Sequence, residues 1–413
     1  MFAALESRNF RLFVVGQSIS LIGTWMSQTA ALWLVYHLSS SPFLLGVVGF
    51  ASQLPIFLMA PLAGVWVDRV HRHRLLVFTQ VCSMLQSFAL AGLTLSGRMT
   101  PGWLIALSLV QGVINGLDLP VRQALVVAFV PKRAHLTNAI ALNSSLFNLA
   151  RLIGPAIAGL TIAAVGAGMC FLIDAFSYAA VIISLLMMRL KVPPKRTNLR
   201  HPLVEMREGF EAAFGYRPIR ALLIMVAIIS AVGFSYVVLT PLFARDVFGG
   251  DARVLGYLMS ASGAGALAGA LYLGTRKGVR GLGIVMTVGG VSMGAGLIMF
   301  ASSKLLPFAC FSLALVGLGG VLLMASSNTV VQALVTEERR GRVMSIFTMA
   351  FTGTMPFGNL LVGWLAGRVG ARPTLIASGA ICLVTSAVFY RLLPGLRAAA
   401  APELARLETA EVE

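Results

Sequence analysis

The chain has 413 residues, of which 58% are hydrophobic and 11% are charged, and its mean hydropathy is +0.87. Soluble domains carry about a quarter charged residues, so this composition excludes an ordinary soluble protein and indicates an integral membrane protein. The net charge of +17 would suggest nucleic-acid binding in a soluble protein. Here membrane topology explains it, and no nucleic-acid partner is expected. The four cysteines stand singly in apolar segments and predict neither a metal site nor a disulfide framework.

Twelve apolar segments of helix length follow one another along the chain. Each is long enough to cross a hydrocarbon core of about 30 Å, and none shows the alternation expected of a barrel strand. The first is too long for the core of a signal peptide and is expected to be retained. We predict an all-α integral membrane protein with spans at residues 12–37, 44–67, 74–96, 103–129, 138–164, 169–189, 219–244, 252–274, 281–302, 305–335, 343–367 and 372–393.

Lysine and arginine are distributed unequally between the two sides of these spans. With the amino terminus inside, 24 of the 32 basic residues fall in cytoplasmic segments and six in outer segments. The remaining two, Arg122 and Arg151, lie within spans. Because basic residues are retained on the cytoplasmic side, both termini are predicted to be cytoplasmic.

A basic linker that contains Pro193 and Pro194 divides the chain into two groups of six spans. The sequence around Arg122 weakly resembles that around Gln332, which suggests a two-lobed transporter with its site between the lobes. We predict a first lobe at 1–190, a linker at 191–218, a second lobe at 219–395 and a cytoplasmic tail at 396–413. Within the linker, apolar residues at helical spacing predict a surface-lying amphipathic helix: Leu203, Met206, Phe210 and Phe214.

The fourth span carries its polar side chains on one helical face. Ser108, Gln111, Asn115, Asp118 and Arg122 recur at steps of three and four residues. An ionised side chain is too costly in lipid, so this face must meet a water-filled path or another helix. Both a transport pathway and a structural polar seam between helices satisfy that condition.

Four charged side chains lie well inside spans, away from the span ends: Asp118, Arg122, Arg151 and Asp174. We expect Asp118 to form an ion pair with Arg151 or Arg122, which lowers the cost of burying these charges. The alternative is a permanent ion pair that has no role in transport. Spans 7–12 hold no acid, so a membrane carboxylate that carries a proton must be Asp118 or Asp174. The hypothesis is proton antiport, in which protonation of Asp118 frees its arginine partner.

Polar and aromatic side chains in several spans are candidates to line an apolar substrate cavity suited to a large amphiphile. Ordinary packing between helices is the alternative for each of them. No enzyme constellation or cofactor motif is present in the sequence. The cavity candidates are Gln17, Thr24, Gln28, Gln111, Asn115, Phe234, Tyr236, Thr352 and Asn359.

Several segments carry a family resemblance. The loop from Gly64 to Arg74 resembles the signature between helices 2 and 3 of the major facilitator superfamily, and Gly154–Gly159 resembles its exporter motif in helix 5. The runs at 9–26, 115–124, 142–159 and 240–249 are similar to the transmembrane secretion effector branch, which contains the enterobactin exporter and macrolide efflux proteins.

This resemblance implies the major facilitator fold, with two pseudo-symmetric six-helix lobes. It also implies a cytoplasmic gate in which Asp68 and Arg69 contact the start of the eleventh span near Arg342, with Gly64 and Arg72 beside them. Gly154, Pro155 and Gly159 are expected to bend and pack the fifth span. His71 and His73 are either solvated loop residues or a pH-sensitive element of the gate.

The resemblance implies a transporter, and the intramembrane acids and the apolar cavity residues together predict proton-driven export of an amphiphilic small molecule, such as a siderophore or antibiotic. The protein is expected to be a monomer without cofactor, embedded in the lipid bilayer of the bacterial inner membrane. A lysophospholipid transporter is the first alternative. A non-transporting receptor or assembly factor is the second, and the gate motif argues against it.

Overall fold

The computed structural model describes residues 3–69, 71–130, 135–188, 210–276 and 278–410, with backbone alone at 3, 60–69, 127–128, 136–137, 337–338 and 402–410. The described part of the chain is helical, with a short 3-10 helix at Ala3–Glu6 and a π-helix at Phe243–Val247. The α-helices are α1 Arg8–Ser39, α2 Pro42–Arg69, α3 Arg72–Leu95, α4 Pro101–Phe129, α5 Leu136–Val165, α6 Ala167–Leu186, α7 Arg217–Gly233, α8 Tyr236–Leu242, α9 Ala252–Gly274, α10 Leu282–Ser302, α11 Leu306–Leu334, α12 Glu337–Thr352, α13 Met355–Val369 and α14 Ala371–Ala410.

Within these ranges, eleven segments are long and apolar enough to cross a membrane. They correspond to predicted spans 2–12, and the predicted all-α membrane fold is confirmed. The first predicted span forms α1, a continuous helix of 32 residues. It is long enough to cross a bilayer, but polar residues such as Gln17 and Gln28 reduce its hydropathy.

Two predicted spans are interrupted, and one helix extends beyond its predicted span. The seventh span divides into α7, α8 and the π-helix, and the eleventh divides at Gly353 into α12 and α13. Glycine and proline weaken the helix at such points, although hydropathy remains high across them. The last helix continues past residue 393 because an alanine-rich stretch, favourable for helix, follows. The predicted linker lies mostly outside the described residues; within it 210–218 are described, with helix at 210–215 and the start of α7 at Arg217.

The chain divides into two compact units. The first unit comprises Met1–Leu199 and Val238–Gly263, and the second comprises Arg200–Val237 and Ala264–Glu413. The contacts therefore group Val238–Gly263 with the amino-terminal helices, whereas the predicted boundaries assign that segment to the second lobe.

Helices pair in the same way within each unit. In the first unit α1 packs on α5 and α6, α3 packs on α4 and α6, and α2 packs on α4. In the second unit α7 packs on α12, α13 and α14, and α10 packs on α11 and α14. The part of α9 in the second unit approaches α11, since a Cβ on Gly269 would lie 3.1 Å from the Leu318 carbonyl oxygen. The matching pairs correspond to an internal repeat of six spans.

Small residues permit these close approaches. A Cβ on Gly289 of α10 would lie 2.7 Å from the carbonyl oxygen of Gly319 on α11. Lipid is as apolar as a leucine side chain, so the hydrophobic effect does not drive helices together within the membrane. Close van der Waals contact therefore contributes much of the free energy of association between membrane helices. The core of the first unit includes an aromatic cluster in which the Phe13 and Phe129 rings lie 5.1 Å apart.

Candidate functional site

The acid of α4 is fully enclosed by donors from its own unit. Thr79 Oγ1 and Gln80 Nε2 donate to Asp118 Oδ1 at 2.7 and 2.6 Å. One turn along α4, Arg122 donates from Nε to Asp118 Oδ2 at 2.9 Å, and its Nη2 contacts the same oxygen. Asp118 is 2% exposed, whereas the Arg122 side chain is 23% exposed. Arg122, and not Arg151, is therefore the ion-pair partner of Asp118.

The polar face of α4 meets a matching polar face on α3. Gln111 Nε2 donates to Ser83 Oγ at 3.2 Å and to Asn115 Oδ1 at 3.1 Å, and Gln86 Nε2 donates to the Leu107 carbonyl at 3.1 Å. Of the two possibilities for this face, these contacts fit a polar seam between helices. The α3 side of the seam was not predicted from the sequence. The buried polar residues of α3 nevertheless recur at helical spacing: Thr79, Gln80, Ser83, Gln86 and Ser87.

The second intramembrane acid lies on α6 among hydroxyl groups. Ser87 Oγ donates to Asp174 Oδ2 at 2.8 Å, and Ser177 Oγ donates to the Asp174 backbone carbonyl at 2.7 Å. Asp174 is 2% exposed and forms no ion pair with any cation of the described ranges. Gly23 of α1 permits this packing, since a Cβ there would lie 2.9 Å from Asp174 Oδ1. Helix α3 thus contacts both acids, through Thr79 and Gln80 at one level and Ser87 two turns away.

The arginine of α5 has uncharged neighbours. Arg151 Nη2 donates to Ser262 Oγ at 3.3 Å, and its guanidinium carbon lies 5.9 Å from the centre of the Trp25 ring. Trp25 in turn makes an edge contact with Phe147, with ring centres 5.6 Å apart. No carboxylate of the described chain lies within ion-pair distance of Arg151.

The glycine–proline motif of α5 packs on two helices. A Cβ on Gly154 would lie 2.5 Å from Trp25 Cβ, so α5 and α1 approach closely there. A Cβ on Gly159 would lie 2.6 Å from the Ala252 carbonyl oxygen, and one on Gly256 would lie 2.8 Å from the Pro155 carbonyl oxygen. The motif therefore brings α5 against both α1 and the first part of α9 within the first unit.

The residues predicted to line a cavity differ in exposure. Gln28 is exposed, and Gln17, Tyr236 and Asn359 are buried in this structure. The Phe234 ring makes an edge contact with Phe351 at 5.5 Å within the second unit. The half-buried members are Thr24, Gln111, Asn115, Phe234 and Thr352. Their role in substrate binding stays a prediction.

The predicted cytoplasmic gate falls partly outside the described side chains. Helix α2 ends at Arg69 and α3 begins at Arg72, but the side chains of Gly64–Arg69 are not described. Arg342 is half-buried in α12, which begins at Glu337 and so earlier than the predicted start of the eleventh span. His73 lies in the first turn of α3 and its Nε2 contacts the Leu185 carbonyl oxygen at 2.9 Å, so it is not a free loop histidine.

A polar cluster that the sequence analysis missed joins the end of α1 to the π-helix. The Tyr36 hydroxyl donates to Asp246, and Arg245 Nη1 donates to Ser40 Oγ at 3.0 Å. The Arg245 guanidinium carbon lies 5.5 Å from the centre of the Tyr36 ring. Tyr36 and Asp246 stand 210 positions apart in sequence, so no local pattern indicates the pair.

Comparison with known proteins places this geometry in a family. The family model described as transmembrane secretion effector matches residues 1–413. The staphyloferrin A transporter of Staphylococcus aureus is 28% identical over 92% of this chain and 95% of its own. The multidrug efflux pump Tap of Mycobacterium bovis is 28% identical over 94% of this chain and 93% of its own.

The fold is shared with solved transporters. A POT family transporter in complex with 5-aminolevulinic acid superimposes with a TM-score of 0.76, covering 94% of this chain and 97% of that chain at 12% identity. Such an identity supports the fold alone. The family match, the two relatives and the all-helical repeat agree. This chain belongs to the transmembrane secretion effector family of the major facilitator superfamily, and it is a membrane transporter rather than an enzyme.

Proposed function

We propose that this protein exports an amphiphilic small molecule across the bacterial inner membrane by proton antiport. The relatives are named as a staphyloferrin A transporter and a multidrug efflux pump, which supports export of a small-molecule cargo. The observation that carries the coupling proposal is the pair of buried acids in the first unit, of which only Asp118 has a cation partner in the described chain.

The two acids are suited to different tasks. Asp118 accepts hydrogen bonds from Thr79, Gln80 and Arg122, so a cation and two further donors balance its charge. Asp174 is surrounded by hydroxyl groups, and burying an ionised carboxylate without a cation is costly, whereas the protonated form avoids that cost. We therefore assign the transported proton to Asp174, in place of the sequence-based hypothesis that assigned it to Asp118.

Helix α3 is the element that connects the two acids. Loss of the proton leaves a negative charge on Asp174 beside Ser87, and movement of α3 that improves its solvation also displaces Thr79 and Gln80. Because Thr79 and Gln80 donate to Asp118, that movement is transmitted to α4, whereas the Asp118–Arg122 pair lies within α4 and stays intact. The cytoplasmic gate of Gly64, Asp68, Arg69, Arg72 and Arg342 is retained in the proposal, as are cytoplasmic termini and a monomer.

The test uses full-length protein in proteoliposomes that carry an imposed pH gradient. A macrolide antibiotic and a carboxylate siderophore serve as probes, first screened for reduced accumulation in cells that lack their own exporters. Asp174→Asn removes the titratable group, Asp118→Asn removes the ion pair, and the exposed Asp251→Asn is the matched control.

We expect Asp174→Asn to abolish proton-driven flux of the probe. Movement of the probe down its own concentration gradient should be retained. Asp251→Asn should behave like the parent protein. Full proton-driven flux in Asp174→Asn would refute the assignment to Asp174, and loss of it only in Asp118→Asn would restore the other acid. Flux of lysophospholipid without a pH gradient, and none of either probe, would instead support lipid transport.

A further inference from the structure

Arg151 carries a positive charge in the middle of a helix whose neighbours do not balance it. It is the sixteenth residue of the 30-residue α5, about 22 Å along the helix from Leu136. A cation at that depth costs several kcal/mol unless it meets water, a carboxylate or another anion. Arg122 shows how the same unit balances a cation, through its contact with Asp118. For Arg151 the contacts in the described ranges are a neutral hydroxyl and an aromatic face.

We propose that Arg151 and Trp25 bind an anionic group of the cargo, so that the substrate is an amphiphilic anion such as a carboxylate. This inference rests on the proposed export function and specifies the chemistry of its substrate. The guanidinium has five N–H donors, and Ser262 accepts from one of them. The planar fork matches a carboxylate in two parallel hydrogen bonds, which a lysine ammonium cannot reproduce.

The surroundings of Arg151 fit the remainder of an amphiphile. On the same stripe of α5, Ser144 and Asn148 lie seven and three residues earlier, and Ser144 is exposed. Phe147, in edge contact with Trp25, is 46% exposed and offers apolar surface beside the charge. An arginine flanked by an aromatic pair and small polar groups suits a ligand with one anionic end and an apolar body.

The chemistry excludes a simple cation as the group bound at this position. A cationic ligand placed beside Arg151 would add a second positive charge at short distance, and like charges repel. An anion instead forms charge-assisted hydrogen bonds with the guanidinium and balances its charge.

The test measures binding directly and does not depend on transport. The protein has five tryptophans. A variant that keeps Trp25 and replaces Trp33, Trp66, Trp103 and Trp364 with phenylalanine is placed in lipid nanodiscs. The probe is 4-(4-bromophenyl)butanoate, whose bromine quenches indole fluorescence on contact, and the uncharged comparison is the corresponding primary amide.

We expect saturable quenching by the carboxylate, with binding of the amide at least about tenfold weaker, as for loss of a charge-assisted hydrogen bond. Arg151→Gln should remove the preference for the carboxylate, and Arg151→Lys should restore part of it. Arg253→Gln, at an exposed arginine beside Asp251, is the matched control and should change nothing. In the parent with all its tryptophans, the carboxylate should raise the thermal unfolding temperature, which checks that the replacements leave the site intact.

Equal quenching by carboxylate and amide, or an unchanged preference in Arg151→Gln, would overturn the inference. Absence of both saturable quenching and thermal stabilisation by the carboxylate would also overturn it. Carboxylate binding that depends on Arg151, in a protein that moves no probe in proteoliposomes, would support the anion site and count against the proposed export. Export that is unaffected by Arg151→Gln would support the proposed export and count against the anion site.

Discussion

The hydroxyl of Tyr36, near the end of α1, donates a hydrogen bond to the carboxylate of Asp246 in the π-helix. Tyr36→Phe removes only that donor and leaves the Asp246 carboxylate with one partner fewer. We expect the variant to be less stable by about 0.5–1.5 kcal/mol, the net value of an ordinary hydrogen bond, because Asp246 is half exposed and water replaces part of the contact. Thermal unfolding of the purified protein in detergent measures the change. Tyr257→Phe, at an exposed tyrosine of α9, is the control, and equal stability of both variants would contradict the prediction.

The approach of α5 to α1 depends on the absence of a side chain at residue 154. An alanine there would put its Cβ 2.5 Å from Trp25 Cβ, so one helix must move. We expect Gly154→Ala to destabilise the protein by about 1–3 kcal/mol, as overpacking does. Gly92→Ala is the matched control, because no atom outside its own helix lies within 4 Å of the added Cβ.

The two glycine variants should differ in their effect on stability. Alanine is favoured over glycine inside a helix by up to about 1 kcal/mol, so Gly92→Ala should be neutral or stabilising. Urea unfolding or thermal melts of both variants in the same detergent test this difference. A Gly154→Ala variant as stable as the parent would show that α1 and α5 are not held together at that level.

The Asp118–Arg122 pair should respond to paired substitution. Arg122→Gln alone leaves a buried carboxylate without its cation and should cost about 3–5 kcal/mol. Asp118→Asn combined with Arg122→Gln removes both charges and should be less harmful than Arg122→Gln alone. Stability is read from thermal melts, with the exposed Arg98→Gln as control. If the double variant is as unstable as the sum of the single variants, the two side chains are not coupled.

The topology predicted from basic residues can be tested with two matched cysteines. The four native cysteines are first removed. A single cysteine then replaces either Ser96, just after α3, or Thr275, just after α9. The two positions are matched, because each native hydroxyl donates to a carbonyl three residues earlier. An impermeant maleimide should label residue 96 in intact spheroplasts and residue 275 only after permeabilisation. The reverse pattern would mean that the amino terminus is outside.

Local chemistry explains why much of the fold follows from the sequence. Hydropathy and length are properties of each segment, so the predicted spans match the helices to within a few residues at most ends, as for α3 and α9. The same property hides breaks inside a span. The seventh and eleventh predicted spans remain apolar across their interruptions, and only backbone geometry reveals that α8 and α13 are separate helices.

The candidate site was predictable only in part. Helical spacing places Asp118 and Arg122 on one face, and their ion pair follows from a separation of four residues. Spacing does not tell which neighbour that face meets, and here it is α3, with Thr79 and Gln80 as donors. Arg151 was recognisable as an intramembrane charge, but its contacts with Trp25 and Ser262 come from helices distant in sequence.

Sequence alone identifies this chain as a helical membrane protein, because the cost of placing polar groups in lipid acts on every segment independently. Which buried charges are balanced becomes visible when the helices are packed together. Asp118 has its cation one helical turn away, whereas the neighbours of Asp174 and Arg151 are uncharged in the described part of the chain. The balance of a buried charge depends on distances of a few ångströms between helices, and those distances are set by packing.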